Sequence, residues 1–300
     1  MKGANYMLGV SLARAVFEGN TTSKRENDLI AEHENVEEYL ENIREYGVES
    51  IEFRALAHGA KEEDYVKILD LIWRMGFNLT VHIQGSENYM GSSFIDIYPS
   101  AKYIIENFTK YQDELIFVVH ALRDESATKA ELYDRTVNTL RQWSDAIDRD
   151  GLPMKVALEN NRKKGILDPG DSTEGVLNMI NDIDRPNIGI IWDMGHFYSN
   201  ILVERGLNNP PKEHIEILPS DSFLKNVIHT HIHGLDGVVT HNPLKGYESL
   251  PLELYVNALK DNGYSGIYNL ELGPERFSEE ITPSEGIYSS ISRLAKSLEM

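Results

Sequence analysis

The sequence predicts an α/β fold, a (β/α)8 barrel built as a single domain over residues 1–300. Two observations predict it. Eight short apolar segments alternate along the chain with amphipathic segments, which is the count that such a barrel requires. In addition, a chain of 300 residues with 41% hydrophobic residues has the length and core content of one large barrel. Because the alternation is regular, we expect no domain boundary.

Each predicted strand is a short apolar run of the kind that lies buried in a parallel sheet. The strands are predicted at residues 6–11, 50–54, 78–82, 115–120, 155–159, 188–193, 226–231 and 267–271. The helices are predicted where apolar residues recur every three or four positions. They cover residues 36–46, 62–75, 126–146, 171–183, 250–262 and 285–298.

Two connections are longer than the rest, at residues 201–222 after the sixth strand and at residues 234–249 after the seventh. In barrels of this type the loops at the carboxyl ends of the strands form the active site. We therefore expect the functional residues at these strand ends and in these loops.

Composition excludes several classes of partner. The formal charge is −19, from 48 acids and 29 bases, and such a surface repels phosphate backbones, so we expect no nucleic-acid partner. We expect no membrane partner either, since no apolar run is long enough to cross a bilayer. The chain has no cysteine, which rules out disulfides and thiolate ligands, and no recognisable secretory signal. A cytoplasmic protein is therefore expected.

Four of the predicted strands end in a metal-ligand residue: Glu159, Asp193, His231 and Glu271. In a closed barrel, neighbouring strand ends come within reach of one ion. Three carboxylates and one imidazole suit Mn²⁺ best, with Mg²⁺, Co²⁺ or Zn²⁺ as alternatives. Each residue alone also has a structural explanation, namely a salt bridge for either glutamate, a helix cap for Asp193 and a satisfied core histidine for His231. The four together favour a metal site.

The ligand on the seventh strand depends on the strand register. His229 and His233 flank His231 at a spacing of two, so all three point to the same side of a strand. His231 is the expected ligand because it lies at the predicted strand end. If the register differs by two residues, one of its neighbours takes that place.

The motifs at these strand ends resemble those of the xylose-isomerase-like TIM barrels, a superfamily of sugar isomerases, sugar epimerases and endonuclease IV. The matching segments are LEN at 158–160, DMGH at 193–196, HIH at 231–233 and LEL at 270–272. They follow one another in the same order across the barrel. The resemblance implies that Glu159, Asp193, His231 and Glu271 hold the metal, and that His196 lies beside the substrate.

The resemblance also implies a chemistry, that of a metal-dependent sugar isomerase or epimerase. Glu159 and Glu271 would face opposite sides of a small carbohydrate substrate, one removing a proton next to a carbonyl and the other returning it. The ion would stabilise the enediolate formed between the two steps. Lyases of the same superfamily, either dehydratases or deglycosidases of 3-keto-glycosides, begin with the same proton abstraction and are the alternative.

Further candidates lie near the same strand ends. His82 and His120 close the third and fourth predicted strands. Comparable positions contact substrate in carbohydrate-active members and bind a second metal in endonuclease IV; we favour substrate contact. Lys245 and His241, in the seventh loop, could reach substrate hydroxyls or a phosphate.

Three further alternatives concern the function and the assembly of the protein. The endonuclease pattern adds an Asp-x-His pair in the seventh loop, but Val239 stands where the aspartate should be, so an endonuclease IV-like phosphodiesterase is the least favoured enzyme. A carbohydrate-binding protein that keeps the site as a relic is a non-catalytic alternative, against which stand four intact ligands. Four apolar residues after the sixth strand could support a homo-oligomer: Phe197, Tyr198, Ile201 and Leu202.

Overall fold

The computed structural model describes residues 6–19, 21–54, 63, 65–83, 92–164, 167–244 and 250–300. The strands are β1 (Met7–Ala13), β2 (Val48–Arg54), β3 (Asn78–His82), β4 (Leu115–Val119), β5 (Met154–Glu159), β6 (Ile188–Asp193), β7 (Val227–Ile232), β8 (Gly234–Asp236), β9 (Val239–Asn242) and β10 (Ile267–Leu270). Eight of them close into a barrel in the order β1-β10-β7-β6-β5-β4-β3-β2, and β8 and β9 form a separate antiparallel hairpin. The predicted (β/α)8 fold is therefore confirmed.

Helices follow the strands as expected. They are α1 (Arg14–Glu18), α2 (Lys24–Ala31), α3 (Val36–Glu45), α4 (Val66–Arg74), α5 (Phe94–Asn107), α6 (Lys129–Arg149), α7 (Thr173–Ile183), α8 (Met194–Glu204), α9 (Asp221–Lys225), α10 (Leu252–Asp261) and α11 (Pro283–Glu299). Among the described residues, no helix combines the length and the apolar character needed to span a membrane.

Helix boundaries differ from the prediction where a capping residue decides them. The helix predicted from residue 126 begins three residues later, because the Thr128 side chain accepts a hydrogen bond from the Glu131 backbone N–H and Glu131 reaches back to the Thr128 backbone. This capping box satisfies two donors that the first helical turn cannot pair itself. The predicted long loop after β6 is also shorter than expected, because α8 extends to Glu204.

Three of the four α8 residues that were considered for an oligomer interface are buried within the chain, and a homo-oligomer stays a prediction. Tyr198 and Leu202 are fully buried, and Ile201 is 7% exposed. The rings of Phe197 and Tyr198 both pack edge-on against Tyr255 of α10. The apolar character of this segment is therefore explained by packing within the chain.

Contacts between Cα atoms divide the chain into two compact units, the first with residues 1–51, 193–225 and 230–300 and the second with residues 52–192 and 226–229. In the first, β10 pairs in parallel with both β1 and β7. In the second, β3, β4, β5 and β6 pair in parallel in sequence order. Its core includes a buried aliphatic cluster formed by Ile116, Val118, Ala157 and Ile191. The expectation of a single domain stays a prediction.

The pairing of β1 with β10 depends on a glycine. Gly9 lies opposite Asn269, and a Cβ atom at Gly9 would come 2.6 Å from Asn269 Oδ1 and 2.7 Å from Ile267 Cγ2. The Asn269 side chain is fully buried and donates a hydrogen bond of 2.8 Å to Ser11 Oγ, so it is held in place. The close approach of the two strands therefore requires the absence of a side chain at position 9.

Replacing Gly9 with alanine is expected to destabilise the fold by about 1–3 kcal/mol, because the added methyl group overpacks the contact between β1 and β10. Urea denaturation followed by circular dichroism measures the change. The matched control is Glu49→Ala at an exposed position of β2, which should stay within about 0.5 kcal/mol of the wild type. A Gly9→Ala variant as stable as the wild type would contradict the packing argument.

Candidate functional site

Three of the predicted metal ligands lie at strand ends within the first unit. Asp193 is the last residue of β6, His231 is in β7, and Glu271 directly follows β10. The Glu271 backbone N–H donates to the Ile232 carbonyl at 3.0 Å, which continues the sheet pairing past the end of the assigned strand. Asp193 and His231 are fully buried and Glu271 is 5% exposed. These side chains thus occupy a buried position at the carboxyl ends of parallel strands.

One of the two distances from His231 to the carboxylates is typical of ligands around one ion, and the other is slightly longer. His231 Nδ1 lies 3.2 Å from Glu271 Oε2 and 3.9 Å from Asp193 Oδ2. Around a divalent ion with ligand bonds of about 2.0–2.2 Å, adjacent ligand atoms are about 3.0–3.5 Å apart. The structure therefore brings together the ligand atoms of three of the four predicted residues.

Asp193 also caps α8, which is the structural explanation that the sequence offered for it. Its Oδ1 accepts a hydrogen bond of 2.6 Å from the His196 backbone N–H, and its own backbone is extended, as in a helix N-cap. Its Oδ2 faces His231 and lies 3.3 Å from His196 Nδ1. The positive end of the helix dipole stabilises the carboxylate charge, and the cap fixes its orientation.

His233 also contacts Asp193. Its Nε2 lies 3.1 Å and 3.2 Å from the two carboxylate oxygens of Asp193, and its Nδ1 accepts a hydrogen bond of 3.0 Å from the His241 backbone N–H. From the sequence, His233 was expected only as an alternative ligand to His231. Its spacing of two from His231 was the available signal, since that spacing puts both imidazoles on one side of the chain.

The glycine of the DMGH segment is explained by this imidazole. A Cβ atom at Gly195 would lie 1.9 Å from His233 Cε1 and 2.2 Å from His233 Nδ1. His233 is fully buried and cannot move aside without leaving Asp193. Position 195 is therefore restricted to glycine by contact between the first turn of α8 and the ring.

His241, a predicted substrate residue, lies in the hairpin next to Glu271. Its Nδ1 is 3.5 Å from Glu271 Oε2 and 3.2 Å from the Glu271 carbonyl oxygen. Burial lowers the pKa of His241 to about 3; the Glu271 carboxylate opposes this shift and the neighbouring imidazoles of His233 and His196 add to it. His241 is therefore a neutral hydrogen-bonding group at neutral pH.

In the second unit, His82 and His120 converge on the fourth predicted ligand, Glu159. His120 Nε2 lies 2.8 Å from Glu159 Oε2, and His82 Nε2 lies 3.4 Å from the same oxygen. Glu159 is 1% exposed, whereas the His120 side chain keeps 22% of its surface exposed. The two histidines are therefore placed to orient the Glu159 carboxylate, and His120 also reaches the surface.

The remaining predicted residues are placed as follows. His229, the deeper neighbour of His231, is fully buried and pairs with the equally buried Glu52, with 3.0 Å between His229 Nε2 and Glu52 Oε2. This pair accounts for His229 without a role as the strand-end ligand. Lys245, predicted to contact substrate, lies outside the described residues.

Comparison with known proteins identifies the family. A model of the xylose isomerase-like TIM barrel family matches residues 40–297. The chain therefore belongs to the xylose isomerase-like TIM barrel family, as its strand-end motifs predicted. An uncharacterised protein of Methanocaldococcus jannaschii is 27% identical over 143 residues, which cover 47% of this chain and 44% of that protein. The match thus spans less than half of that relative.

Solved structures with the same fold include metal-binding and sugar-converting proteins. The IolI protein with a bound zinc atom is 19% identical, with a TM-score of 0.60 over 97% of this chain and 98% of that one. A 3-keto-D-glucoside 4-epimerase of E. coli, YcjR, is 16% identical, with a TM-score of 0.60 over 97% of this chain and 99% of that one. At this level of identity the likeness shows a shared fold.

The Gly195→Ala substitution should destabilise the protein by about 1–3 kcal/mol, because the methyl group collides with the His233 ring. In an unhindered helix the same change stabilises by up to about 1 kcal/mol, so the sign of the effect tests the contact. Thermal unfolding of the metal-free protein measures it. Val203→Ala, at an exposed position of the same helix, is the control and should have little effect. A stabilised Gly195→Ala variant would show that the ring does not lie against the helix.

Proposed function

We propose that this protein is a metal-dependent sugar isomerase or epimerase that moves a proton on a carbon next to a carbonyl group. The observation that carries the proposal is that Asp193, His231 and Glu271 lie together in the protein interior. His231 Nδ1 is 3.2 Å from Glu271 Oε2 and 3.9 Å from Asp193 Oδ2. A small-molecule carbohydrate is the proposed substrate. Support comes from structural neighbours that are described as a D-tagatose 3-epimerase-like protein and an L-ribulose 3-epimerase.

Glu159 is proposed as the fourth ligand beside Asp193, His231 and Glu271. It ends β5, where it pairs in register with Ile191 of β6, and Asp193 follows two residues further along that strand. The strand-end motif LEN at 158–160 supports the assignment, because its resemblance to the family pattern implies a metal ligand at Glu159.

The donor set fits one divalent ion. Buried carboxylates and a buried imidazole need a compensating charge, and three oxygen-donating side chains with one nitrogen donor suit Mn²⁺. Mg²⁺, Co²⁺ and Zn²⁺ are the alternatives, and the zinc atom of the IolI structure supports the last. When bound, the ion would polarise the substrate carbonyl and stabilise the negative charge that develops on its oxygen.

The acid–base work is assigned to Glu159 and Glu271. One carboxylate removes a proton from the carbon next to the carbonyl, and the other carboxylic acid returns a proton to the reacting carbon. His120 donates to Glu159 Oε2, which orients that carboxylate, and the Glu271 backbone is fixed by its bond to β7. Both groups are thereby held in position before substrate binds.

Histidines would position the substrate. His196 Nδ1 faces Asp193, so its other ring nitrogen is the one proposed to hydrogen-bond a substrate oxygen. His82, His120, His241 and Lys245 are proposed as further substrate contacts. A neutral His241 can donate to or accept from a hydroxyl, which is the bonding that a sugar presents.

A lyase is the second candidate. The same proton abstraction expels a leaving group when one lies at the β-position, so a dehydratase or a 3-keto-glycoside deglycosidase would use the same residues. The likeness to a 3-keto-D-glucoside 4-epimerase supports testing oxidised glycosides as substrates. The phosphodiesterase alternative is least supported, since Val239 stands 37% exposed on β9 where that pattern has an aspartate.

Solvent deuterium exchange tests the proposal. The Mn²⁺-loaded protein is incubated in D₂O with ketoses, inososes and 3-keto-glycosides, and the carbons next to each carbonyl are followed by NMR. Deuterium should enter at one such carbon, stop entering after EDTA is added and resume when Mn²⁺ is restored. Exchange accompanied by loss of a substituent would identify the lyase. No exchange with any compound, together with cleavage of an oligonucleotide carrying an abasic site, would overturn the proposal.

Replacing Glu271 with glutamine should lower kcat by about 10²–10⁴, because the isosteric amide cannot accept the proton. The fold should persist, so the circular dichroism spectrum should match that of the wild type. Glu279→Gln, at an exposed position of the same connection, is the matched control and should keep full activity. A Glu271→Gln variant with wild-type turnover would rule out proton transfer by Glu271.

A further inference from the structure

We propose that His233 is a positioning residue whose two ring nitrogens hold two different parts of the site, the Asp193 carboxylate through Nε2 and the backbone of His241 through Nδ1. This inference rests on the proposed function, because Asp193 is proposed there as a metal ligand. In the proposed function His233 is neither a ligand nor a substrate contact.

Hydrogen-bond chemistry defines the form of the ring. The Asp193 carboxylate accepts hydrogen bonds, so Nε2, at 3.1 Å and 3.2 Å from its oxygens, must carry a proton. The His241 backbone N–H donates, so Nδ1, at 3.0 Å, must carry a lone pair. Only the neutral ring protonated at Nε2 satisfies both contacts. If Nδ1 carried the proton, it would donate to the Gly234 carbonyl at 3.2 Å and could not accept the hydrogen bond from His241.

The bond to His241 holds a strained residue. His241 has φ of 63°, in the left-handed region that residues with a Cβ atom rarely adopt. Its backbone is tied on both sides, since its N–H donates to His233 and its carbonyl accepts from the Gly273 N–H at 2.9 Å. This conformation places the His241 ring next to Glu271, with 3.5 Å between Nδ1 and Oε2.

The bond to Asp193 adds a side-chain donor to the carboxylate that caps the helix. Asp193 Oδ1 already accepts from the His196 backbone N–H, and His233 adds a donor to the same carboxylate. Partners of this kind outside the ligand set fix ligand orientation, and losing one commonly weakens metal binding about 10- to 100-fold. His233 is fully buried against Gly195, which leaves the ring a single location.

Two substitutions of His233 separate the role of Nδ1 from the role of Nε2. In His233→Asn the side-chain oxygen can take the place of Nδ1, but no atom reaches the Nε2 position. In His233→Gln the amide nitrogen can take the place of Nε2, but no acceptor remains at the Nδ1 position. The first variant therefore keeps the bond to His241, and the second keeps the bond to Asp193.

Two measurements that need no substrate then report on the two hydrogen bonds, one measurement for each bond. Mn²⁺ affinity, measured by calorimetry, should fall about 10- to 100-fold in His233→Asn and by less than about threefold in His233→Gln. Hydrogen exchange of the His241 amide, measured by NMR, should stay slow in His233→Asn and accelerate in His233→Gln. His33→Asn, whose ring bonds Leu29 and Tyr288 outside the site, is the control and should change neither quantity.

The outcomes separate this inference from the function on which it rests. Suppose that the wild-type protein binds Mn²⁺ and that the two variants change equally in both measurements. His233 would then contribute only packing, and this inference alone would be overturned. A second bound ion that both variants lose would overturn it too, because His196, His233 and His241 would then be ligands of that ion. Wild-type protein that binds neither Mn²⁺ nor Zn²⁺ would overturn the proposed metal site, while the exchange measurement would still test the bond to His241.

Discussion

The structure depends on the burial of carboxylates at the carboxyl ends of parallel strands. Asp193 and Glu271 lie within the protein beside His231, and an unpaired buried carboxylate would cost several kcal/mol. The helix cap and the bond from His233 offset part of that cost for Asp193. The divalent cation proposed for this site would offset more of the cost, and it would account for the set of donors at these strand ends.

Structural and functional explanations of one residue are not exclusive here. Asp193 caps α8 with one oxygen and turns the other toward His231, so the local rule that starts the helix also orients the proposed ligand. The cap in turn places His196 one turn into the helix, beside the same carboxylate. The DMGH segment thereby positions a proposed ligand and a proposed substrate contact together.

Sequence patterns predicted the barrel because buried strands and amphipathic helices leave local signals. They did not predict the β8–β9 hairpin, because its strands of three and four residues are too short to show an alternation of apolar and polar residues. The roles of Gly195 and His233 were also missed, because each depends on contact between segments about 40 positions apart. The spacing HIH indicated a shared side of the strand but not the partner that each histidine meets.

The most direct test of the account is the location of the ion. Crystals grown with Mn²⁺ and measured at its absorption edge would show it as an anomalous peak. The account predicts one peak bonded to Asp193, His231, Glu271 and Glu159 at about 2.0–2.3 Å. No peak near these residues, or a single peak held by imidazoles away from Glu271, would contradict it.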